Sequence, residues 1–317
     1  MNEDSIIVFL YVYKFHLFVS YLNGEISIIQ LPYSPDKISI FPSLIRTSNV
    51  ATEFQARSDV LFACSSERIF SHDLTNINQL IIEDFHLSNE VPECSQLVMD
   101  EKNLFGFSSK KGISTININN PRNSYFVKNY IPKIAERLGD LPVSNLDAKK
   151  GDVFMSIRNF GITKIKYKYN HFNDLEVLNE ISNIRLEDPQ DIKSHPKKDL
   201  LFALDSEEGF AIINSVSDKI LSKLKLPEND LGQELRVFRG DILIKGKFGL
   251  YHFNLINQTI YPLVKKKVGT FTTYLDLIFY TNEGKINILK YGSVAHTEIS
   301  YYENNLPKFN SIASLNF

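Results

Sequence analysis

The chain has 317 residues and a mass of 36.4 kDa, with 35 Lys and Arg residues against 37 Asp and Glu residues. Its net charge of -2 and pI near 6.4 exclude a bulk electrostatic attraction to nucleic acid or to an anionic membrane. The length allows one large all-β domain or two smaller domains.

An apolar stretch at residues 6–22 is the first segment with a clear pattern. Glu3 and Asp4 precede it, and Lys14 and His16 interrupt it. A membrane-spanning helix needs a longer uninterrupted apolar run, and a signal peptide needs a positively charged start and a small-residue cleavage site. The stretch therefore predicts two strands, and we expect no membrane span.

A repeated pattern then runs through the chain. Each copy has a polar step, three or four apolar residues, a short polar turn that usually ends in glycine, and alternating apolar residues. Six of the seven turn-end positions are glycines, in a chain with only 14 glycines. Because glycine accepts the positive φ of a tight turn, each copy predicts a β-hairpin. The turn-end positions are Gly24, Arg68, Gly112, Gly161, Gly209, Gly249 and Gly284, which are 44, 44, 49, 48, 40 and 35 residues apart.

Weaker strand segments flank each hairpin, such as residues 191–195 and 219–224 around the fifth copy. Four strands per copy predict an all-β fold, a β-propeller of about seven four-stranded blades, and we expect residues 1–317 to form this single domain. An extra strand-like run at residues 311–317 could pair with the first blade and close the ring. A solenoid and a pair of β-sandwiches are the alternatives, although irregular spacing fits a solenoid poorly.

One segment between the third and fourth copies has a helical pattern. Residues 131–138 read IPKIAERL, with Pro132 at the start and Gly139 just after the end. Proline is favoured in the first turn of a helix and glycine just beyond its end. The pattern predicts a short helical insertion near residues 131–139, on one rim of the propeller.

The two cysteines, Cys64 and Cys94, are 30 residues apart. This spacing matches neither a zinc-binding pair nor a redox C-x-x-C motif. We therefore predict two free thiols, buried or partly buried. Free thiols are typical of a reducing compartment, so the predicted localisation is cytoplasmic or another reducing intracellular compartment.

Residues 111–121, with the sequence KGISTININNP, resemble the LVIVD-type propeller repeat. Units of that repeat run from a glycine through alternating apolar residues to Asp or Asn and then Asn-Pro, and residues 72–76 (HDLTN) are similar without the proline. The copies also resemble the broader WD40-like group, although the chain has no Trp and no Gly-His to Trp-Asp signature. Either resemblance implies a binding platform and no particular reaction.

The sequence contains no catalytic or metal-binding motif of the H-E-x-x-H, G-x-S-x-G or paired C-x-x-C kind. Residues 240–247 look superficially like a phosphate loop, but five residues separate the glycines, and Phe248 stands where a magnesium-binding Ser or Thr belongs. The histidines fall in different copies or strand phases, so we expect no metal and no cofactor. They are His16, His72, His86, His171, His195, His252 and His296.

Two lysine-rich segments are candidate partner contacts. One is a predicted strand at residues 163–169, whose alternation places three lysines on one face and Thr, Ile and Tyr on the other. Lysine with tyrosine suits nucleic acid or an acidic peptide, although such lysines also suit a solvated outer strand. The second segment connects the sixth and seventh copies. The candidates are Lys164, Lys166, Lys168, Lys265, Lys266 and Lys267.

A propeller without a catalytic motif favours a non-enzymatic scaffold that binds protein partners as a subunit of a macromolecular complex. One alternative is a propeller hydrolase, such as a lactonase, with a metal in the axial channel; three or more convergent Asp, Glu, Asn or His side chains there would favour it. The other alternative is RNA binding through the lysines of the fourth copy. The mixed charges of the hairpin turns suit a protein partner better than a phosphate backbone.

Overall fold

The computed structural model describes residues 6–31, 39–46, 50–66, 68–77, 83–85, 94–134, 142–169, 175–291 and 296–299. Within these ranges the strands form seven antiparallel sheets, and each sheet consists of four strands that follow one another along the chain. The innermost strand of each sheet is the first of the four. The fold is thus a seven-bladed β-propeller with four strands per blade, as the repeat predicts.

The strands are numbered β1 to β28 in chain order, four to each blade. Blade 1 has Ile7–Tyr13, His16–Tyr21, Glu25–Gln30 and Ser39–Arg46; blade 2 has Ala51–Arg57, Val60–Ser65, Ile69–Asp73 and Glu83–Phe85. Blade 3 has Gln96–Met99, Asn103–Ser108, Gly112–Asn117 and Tyr125–Tyr130; blade 4 has Val143–Lys149, Asp152–Ile157, Gly161–Tyr169 and Leu175–Ile184.

Blade 5 has Pro189–Ser194, Leu200–Asp205, Gly209–Asn214 and Lys219–Leu224; blade 6 has Gly232–Phe238, Asp241–Gly246, Leu250–Asn254 and Thr259–Val264; blade 7 has Phe271–Tyr274, Leu277–Asn282, Lys285–Lys290 and His296–Ile299. Short 3-10 turns lie at Pro121–Asn123 and Pro227–Asn229.

Of the helical insertion predicted near residues 131–139, the structure describes residues 131–134. Lys133 and Ile134 are helical, and residues 135–141 lie outside the described residues. In the part of the chain described, no helix is long and apolar enough to cross a membrane.

The apolar second strands of the blades form the core. The strands VLFACS of blade 2 and NLFGFS of blade 3 are buried along their whole length, because each blade is covered on both faces by its neighbours. Six of the seven second strands, all of them described, carry a Phe that is at most 1% exposed. Burial of such a side chain contributes about 1.5–3 kcal/mol. These residues are Phe18, Phe62, Phe105, Phe154, Phe202 and Phe279.

The ring closes where blade 7 packs against blade 1. The first strands β1 and β25 are in contact, and Leu10 and Leu17 of blade 1 share one buried cluster with Leu277 and Phe279 of blade 7. The four described strands of blade 1 all come from the N-terminal part of the chain. Residues 311–317, the predicted closing strand, lie outside the described residues.

The turn-end glycines are needed for two different reasons. Five of the six, all within the described ranges, have positive φ, as at Gly112 with φ +74°. Gly249 is the exception, since its φ is not positive. A Cβ atom at Gly249 would lie 2.6 Å from the carbonyl oxygen of Val264, so this glycine permits the close approach of the neighbouring strand.

The Asp or Asn that recurs in the repeat lies at the end of the third strand, and its hydrogen bonds explain why it recurs. In blades 2, 3, 5 and 6 its Oδ1 atom accepts the main-chain N–H two residues further on, at 2.8–3.1 Å. This contact shapes the turn to the fourth strand. The four residues are Asp73, Asn117, Asn214 and Asn254.

The prediction of two free thiols is wrong, because Cys64 and Cys94 form a disulfide. Cys64 lies in β6 of blade 2, and Cys94 lies just before β9 of blade 3, so the bond joins two blades. The main-chain N–H of Cys94 donates to the carbonyl oxygen of Ser65 at 3.0 Å, which places the two cysteines side by side. The predicted reducing compartment rested on free thiols, and a disulfide is instead more typical of a non-reducing one.

Two glycine substitutions separate the effect of φ from that of steric contact. Gly112→Ala puts a Cβ atom 2.3 Å from the carbonyl oxygen of Tyr130, whereas Gly240→Ala, at φ +88°, meets no atom closer than 4.0 Å. We expect Gly112→Ala to lower the free energy of unfolding by about 3 kcal/mol and Gly240→Ala by about 1 kcal/mol. Urea unfolding followed by circular dichroism measures both. Equal losses would contradict the predicted role of the close contact.

Candidate functional site

Charged side chains from several blades converge on the axial channel. Each described first strand lies next to the first strand of a neighbouring blade, so these strands line the axis. Lys193 of blade 5 interacts electrostatically with Glu53 of blade 2 and Asp147 of blade 4, as well as with Asp191 of its own strand. Arg236 of blade 6 also interacts electrostatically with Glu53. Such contacts between separated blades are possible only across the channel.

Each of the three channel carboxylates accepts a main-chain N–H from the first strand of the following blade. These charge-assisted hydrogen bonds join neighbouring blades near the axis. They also use carboxylate oxygens that an open site would leave free for a ligand. The pairs are Glu53 with Leu97, Asp147 with Ser194 at 2.7 Å, and Asp191 with Leu235 at 2.5 Å.

Burial controls the protonation of these carboxyl groups. It raises the pKa of Glu53 to about 7 and that of Asp191 to about 6, and it raises the pKa of Asp147 as well. The positive charge of Lys193 opposes each shift without cancelling it. Burial lowers the pKa of Lys193 itself, but the surrounding carboxylates outweigh burial and the net shift is upward.

The other basic groups near the axis have acidic or aromatic partners. The Arg236 guanidinium lies 3.0 Å from Glu234, and its centre lies 5.4 Å from the ring centroids of Phe9 and Phe271. Lys245 lies 3.2 Å from the same Glu234. Arg236 therefore connects blade 6 to blades 1 and 7 through ion-pair and cation–π contacts.

Histidines within the described ranges make contacts inside the fold. His195 accepts the main-chain N–H groups of Lys197 and Lys198 through Nδ1, at 3.0 and 2.9 Å. His252 lies 3.1 Å from Asp241, and burial lowers the pKa of both histidines. Among the described residues, no group of three or more His, Cys, Asp or Glu side chains is arranged to hold a metal ion.

The structure separates the three lysines of the fourth copy. Lys164 is 1% exposed, and its ammonium lies 3.3 Å from Asp152 and 3.2 Å from Asp218 of the next blade. It is therefore enclosed between blades 4 and 5 and does not reach a partner at the surface. Lys166 is half-buried and Lys168 is exposed, so both stay candidate contacts.

The propeller has two faces that differ in their turns. The hairpin face carries the turns between the second and third strands and the connections between blades, and the opposite face carries the remaining turns. Lys265, Lys266 and Lys267 are exposed on the hairpin face. The hairpin turns of blades 3 to 7 carry exposed charges of both signs on the same face, as the sequence predicts: Lys110, Arg158, Glu207, Lys247 and Glu283.

Two apolar residues on the hairpin face were missed by sequence reasoning. Phe248 is 60% exposed and Leu231 is 46% exposed. Phe248 lies in the turn between β22 and β23, and Leu231 directly precedes β21. The signal available in the sequence was the aromatic residue inside the turn GKFG; the fourth copy has Phe160 at the same turn position, and the other five copies have polar residues there.

Comparison with solved structures supports the β-propeller fold. The chain is similar to the WD40 β-propeller domain of Doa1, with a TM-score of 0.64, 11% identity and coverage of 90% of this chain and 92% of that one. It is also similar to the computationally designed Ika8 protein, with a TM-score of 0.62, 8% identity and coverage of 96% and 92%. No family model and no curated protein matches the sequence. The fold is thus WD40-like, and membership in the LVIVD-type family stays a prediction.

Replacing Glu53 with Gln should change how stability depends on pH. Because the folded-state pKa of Glu53, about 7, lies above its ordinary value of 4.5, the stability contributed by its protonated form is complete below pH 4.5 and is lost as the pH rises to 7. A glutamine side chain at this position would mimic the protonated form at every pH. We expect E53Q to be more stable than the wild type by roughly 2–3 kcal/mol at pH 8 and nearly equal to it at pH 4.5. Urea unfolding across this range measures the difference, and parallel pH curves would contradict the assignment.

Replacing Lys164 with Ala should destabilise the protein, because it leaves the carboxylates of Asp152 and Asp218 without their common cation. We expect a loss of about 3 kcal/mol in the free energy of unfolding. The matched change Lys168→Ala, at an exposed position of the same strand, should cost less than about 0.5 kcal/mol. Thermal and urea unfolding of both variants provide the measurement. Equal stability of the two would show that Lys164 makes no contribution between the blades.

Proposed function

We propose that this protein is a non-enzymatic interaction scaffold, a subunit of a macromolecular complex that presents the faces of its propeller to protein partners. A WD40-like propeller is commonly a protein-interaction platform, and the fold alone names no partner. The observation that carries the proposal is the contrast between the axial channel and the turns on the two faces of the propeller. The channel carboxylates are engaged in bonds between blades, whereas large apolar side chains are exposed at the turns.

Contacts between blades hold the turns of the opposite face in place. In five blades, a charged side chain or a histidine at the end of the first strand, or in the turn after it, contacts the corresponding turn region of the next blade. A surface held rigid in this way loses little conformational entropy when a partner binds. The contacts are Lys14 with Asp59 at 2.5 Å, Arg57 with the Glu101 carbonyl, Lys149 with the His195 carbonyl at 2.6 Å, His195 with the Gly240 carbonyl at 3.2 Å, and Arg239 with Asp276 at 3.0 Å.

Among the residues whose burial the structure describes, seven of the eleven exposed large apolar side chains belong to blades 5 to 7 or their connections. On the opposite face, Val216 is 68%, Ile256 is 91% and Leu275 is 66% exposed. Phe248 and Leu231 lie on the hairpin face. Exposed apolar residues that are grouped, rather than scattered, are typical of protein–protein contact surfaces. The exposed lysines Lys168 and Lys265–Lys267 are further candidate contacts on the rims.

The convergence of Glu53, Asp147 and Asp191 is the arrangement expected for the alternative function, a hydrolase with an axial metal. Two features favour the scaffold over it. Each carboxylate already accepts a main-chain N–H, and Lys193 places a positive charge among the three groups. A cation at that position repels a metal ion and neutralises the field that would bind it.

Affinity purification of the tagged protein from its native cells, at moderate salt, tests the proposal. We expect protein partners at stable stoichiometry by quantitative mass spectrometry, because a rigid scaffold binds continuously rather than during turnover. A nuclease-treated sample should retain the same partners. A solitary protein that retains a tightly bound metal ion and hydrolyses ester or lactone substrates would contradict the proposal and favour the alternative.

A further inference from the structure

We infer that the Phe248 turn of blade 6 is a docking site for an acidic peptide segment that carries an apolar anchor residue. The inference rests on the proposed function, since it assigns one surface of the scaffold and the kind of partner that fits it. The site consists of the apolar pair Phe248 and Leu231 and the neighbouring lysines Lys247 and Lys265–Lys267, and we call it the Phe248 surface.

A single buried carboxylate holds the Phe248 surface in place. Asp230 is 5% exposed, and it accepts the main-chain N–H groups of Leu231 at 2.7 Å, Lys247 at 2.9 Å and Phe248 at 3.0 Å. It also accepts the hydroxyl of Tyr251 at 2.7 Å. The backbone on both sides of the apolar pair is therefore fixed before any partner arrives, which lowers the entropy cost of binding.

The local backbone geometry brings the segments of the two apolar residues together. A Cβ atom at position 246 would lie 2.2 Å from Asp230 Oδ2, so only glycine lets the carboxylate approach the turn. The main-chain N–H of Lys247 donates to the carbonyl oxygen of Leu231 at 2.9 Å, which brings the two segments together. Leu231 is thus bonded to the residue next to Phe248, and both apolar side chains are exposed.

Lysines surround this apolar pair. Lys265 follows Val264, which pairs with Leu250 in the strand that leaves the Phe248 turn. Lys265 also lies 4.0 Å from Glu228, two residues before Asp230, and both side chains are largely exposed. The Lys247 ammonium lies 5.1 Å from the centroid of the Phe248 ring.

These contacts place Lys247 and Lys265 beside the apolar pair, where Glu228 is an exposed acidic group, and Lys266 and Lys267 follow Lys265 in the connection to blade 7. The surface is therefore positive around an apolar centre. It is complementary to a segment in which acidic residues flank one apolar side chain, because the carboxylates pair with the lysines and the anchor covers Phe248.

The neighbouring turns favour a peptide over an anionic membrane. Exposed Glu207 in blade 5 and Glu283 in blade 7 lie on the same face, on either side of blade 6. A flat anionic membrane would have to meet these carboxylates together with the lysines, at an electrostatic cost. An extended peptide segment can cover blade 6 alone. A nucleic acid backbone, with a charge at every step, faces the same alternating signs.

A phage-displayed library of random twelve-residue peptides, selected on the immobilised full-length protein, tests the inference. We expect enriched peptides to carry acidic residues around a Leu, Phe or other large apolar residue. Their affinity, measured by fluorescence anisotropy, should fall at least tenfold with Phe248→Ser and with the triple change of Lys265, Lys266 and Lys267 to Glu. Higher salt should weaken binding by the wild type. Tyr125→Ser, at a 53% exposed position in the fourth strand of blade 3, is the matched control and should leave affinity unchanged.

Several results would overturn the assignment. The selection could yield no enriched peptides, or peptides without acidic residues. Phe248→Ser could leave affinity unaffected while keeping wild-type thermal stability. The protein could also bind phosphatidylserine vesicles or a uridine oligonucleotide in place of peptides.

Affinity purification with Phe248→Ser distinguishes the two proposals. If stoichiometric partners remain, the scaffold function stands and this surface is wrong; if the wild type itself purifies without partners, the scaffold function fails.

Discussion

The packing of apolar second strands between neighbouring blades is the interaction on which the rest of the structure depends. A blade whose central strand is apolar on both faces cannot be stable alone, since one sheet covers neither of its own faces. Seven such blades satisfy one another only in a ring, and the cluster that joins Leu10 and Leu17 to Phe279 shows that blade 7 and blade 1 complete it by side-chain packing. The positions of the first strands and of the turns follow from this closure.

Ring closure brings the first strands together around the axis, where little space remains and polar groups must find partners. Glu53, Asp147 and Asp191 find them in the main-chain N–H groups of the next blade. Their raised pKa values show the cost of burying charge. Lys193 reduces that cost for all three. The channel carboxylates therefore contribute to the contacts between neighbouring blades.

The turns on the two faces of the propeller carry exposed side chains on backbone that polar contacts hold in place. Asp230 fixes the Phe248 turn on the hairpin face, and contacts such as Arg239 with Asp276 fix turns on the opposite face. Phe248 on the first of these turns and Leu275 on the second are exposed. Exposed apolar groups on a mobile loop would collapse onto the core or favour aggregation, whereas groups on a clamped turn keep a constant shape for recognition.

The sequence by itself determined the fold: hairpin alternation, the apolar second strands and the glycines at turn ends such as Gly112 are local features, and seven copies of them predict seven blades. The tertiary structure alone decided which distant residues meet. Cys64 and Cys94 form a disulfide because neighbouring blades place them side by side, and Lys164 is buried because Asp218 of the next blade meets it. Phe248 is exposed on a turn whose main-chain N–H groups donate to Asp230, a residue of the preceding connection. Strand periodicity specifies which face of a sheet a side chain occupies, but only the packed ring specifies what covers that face.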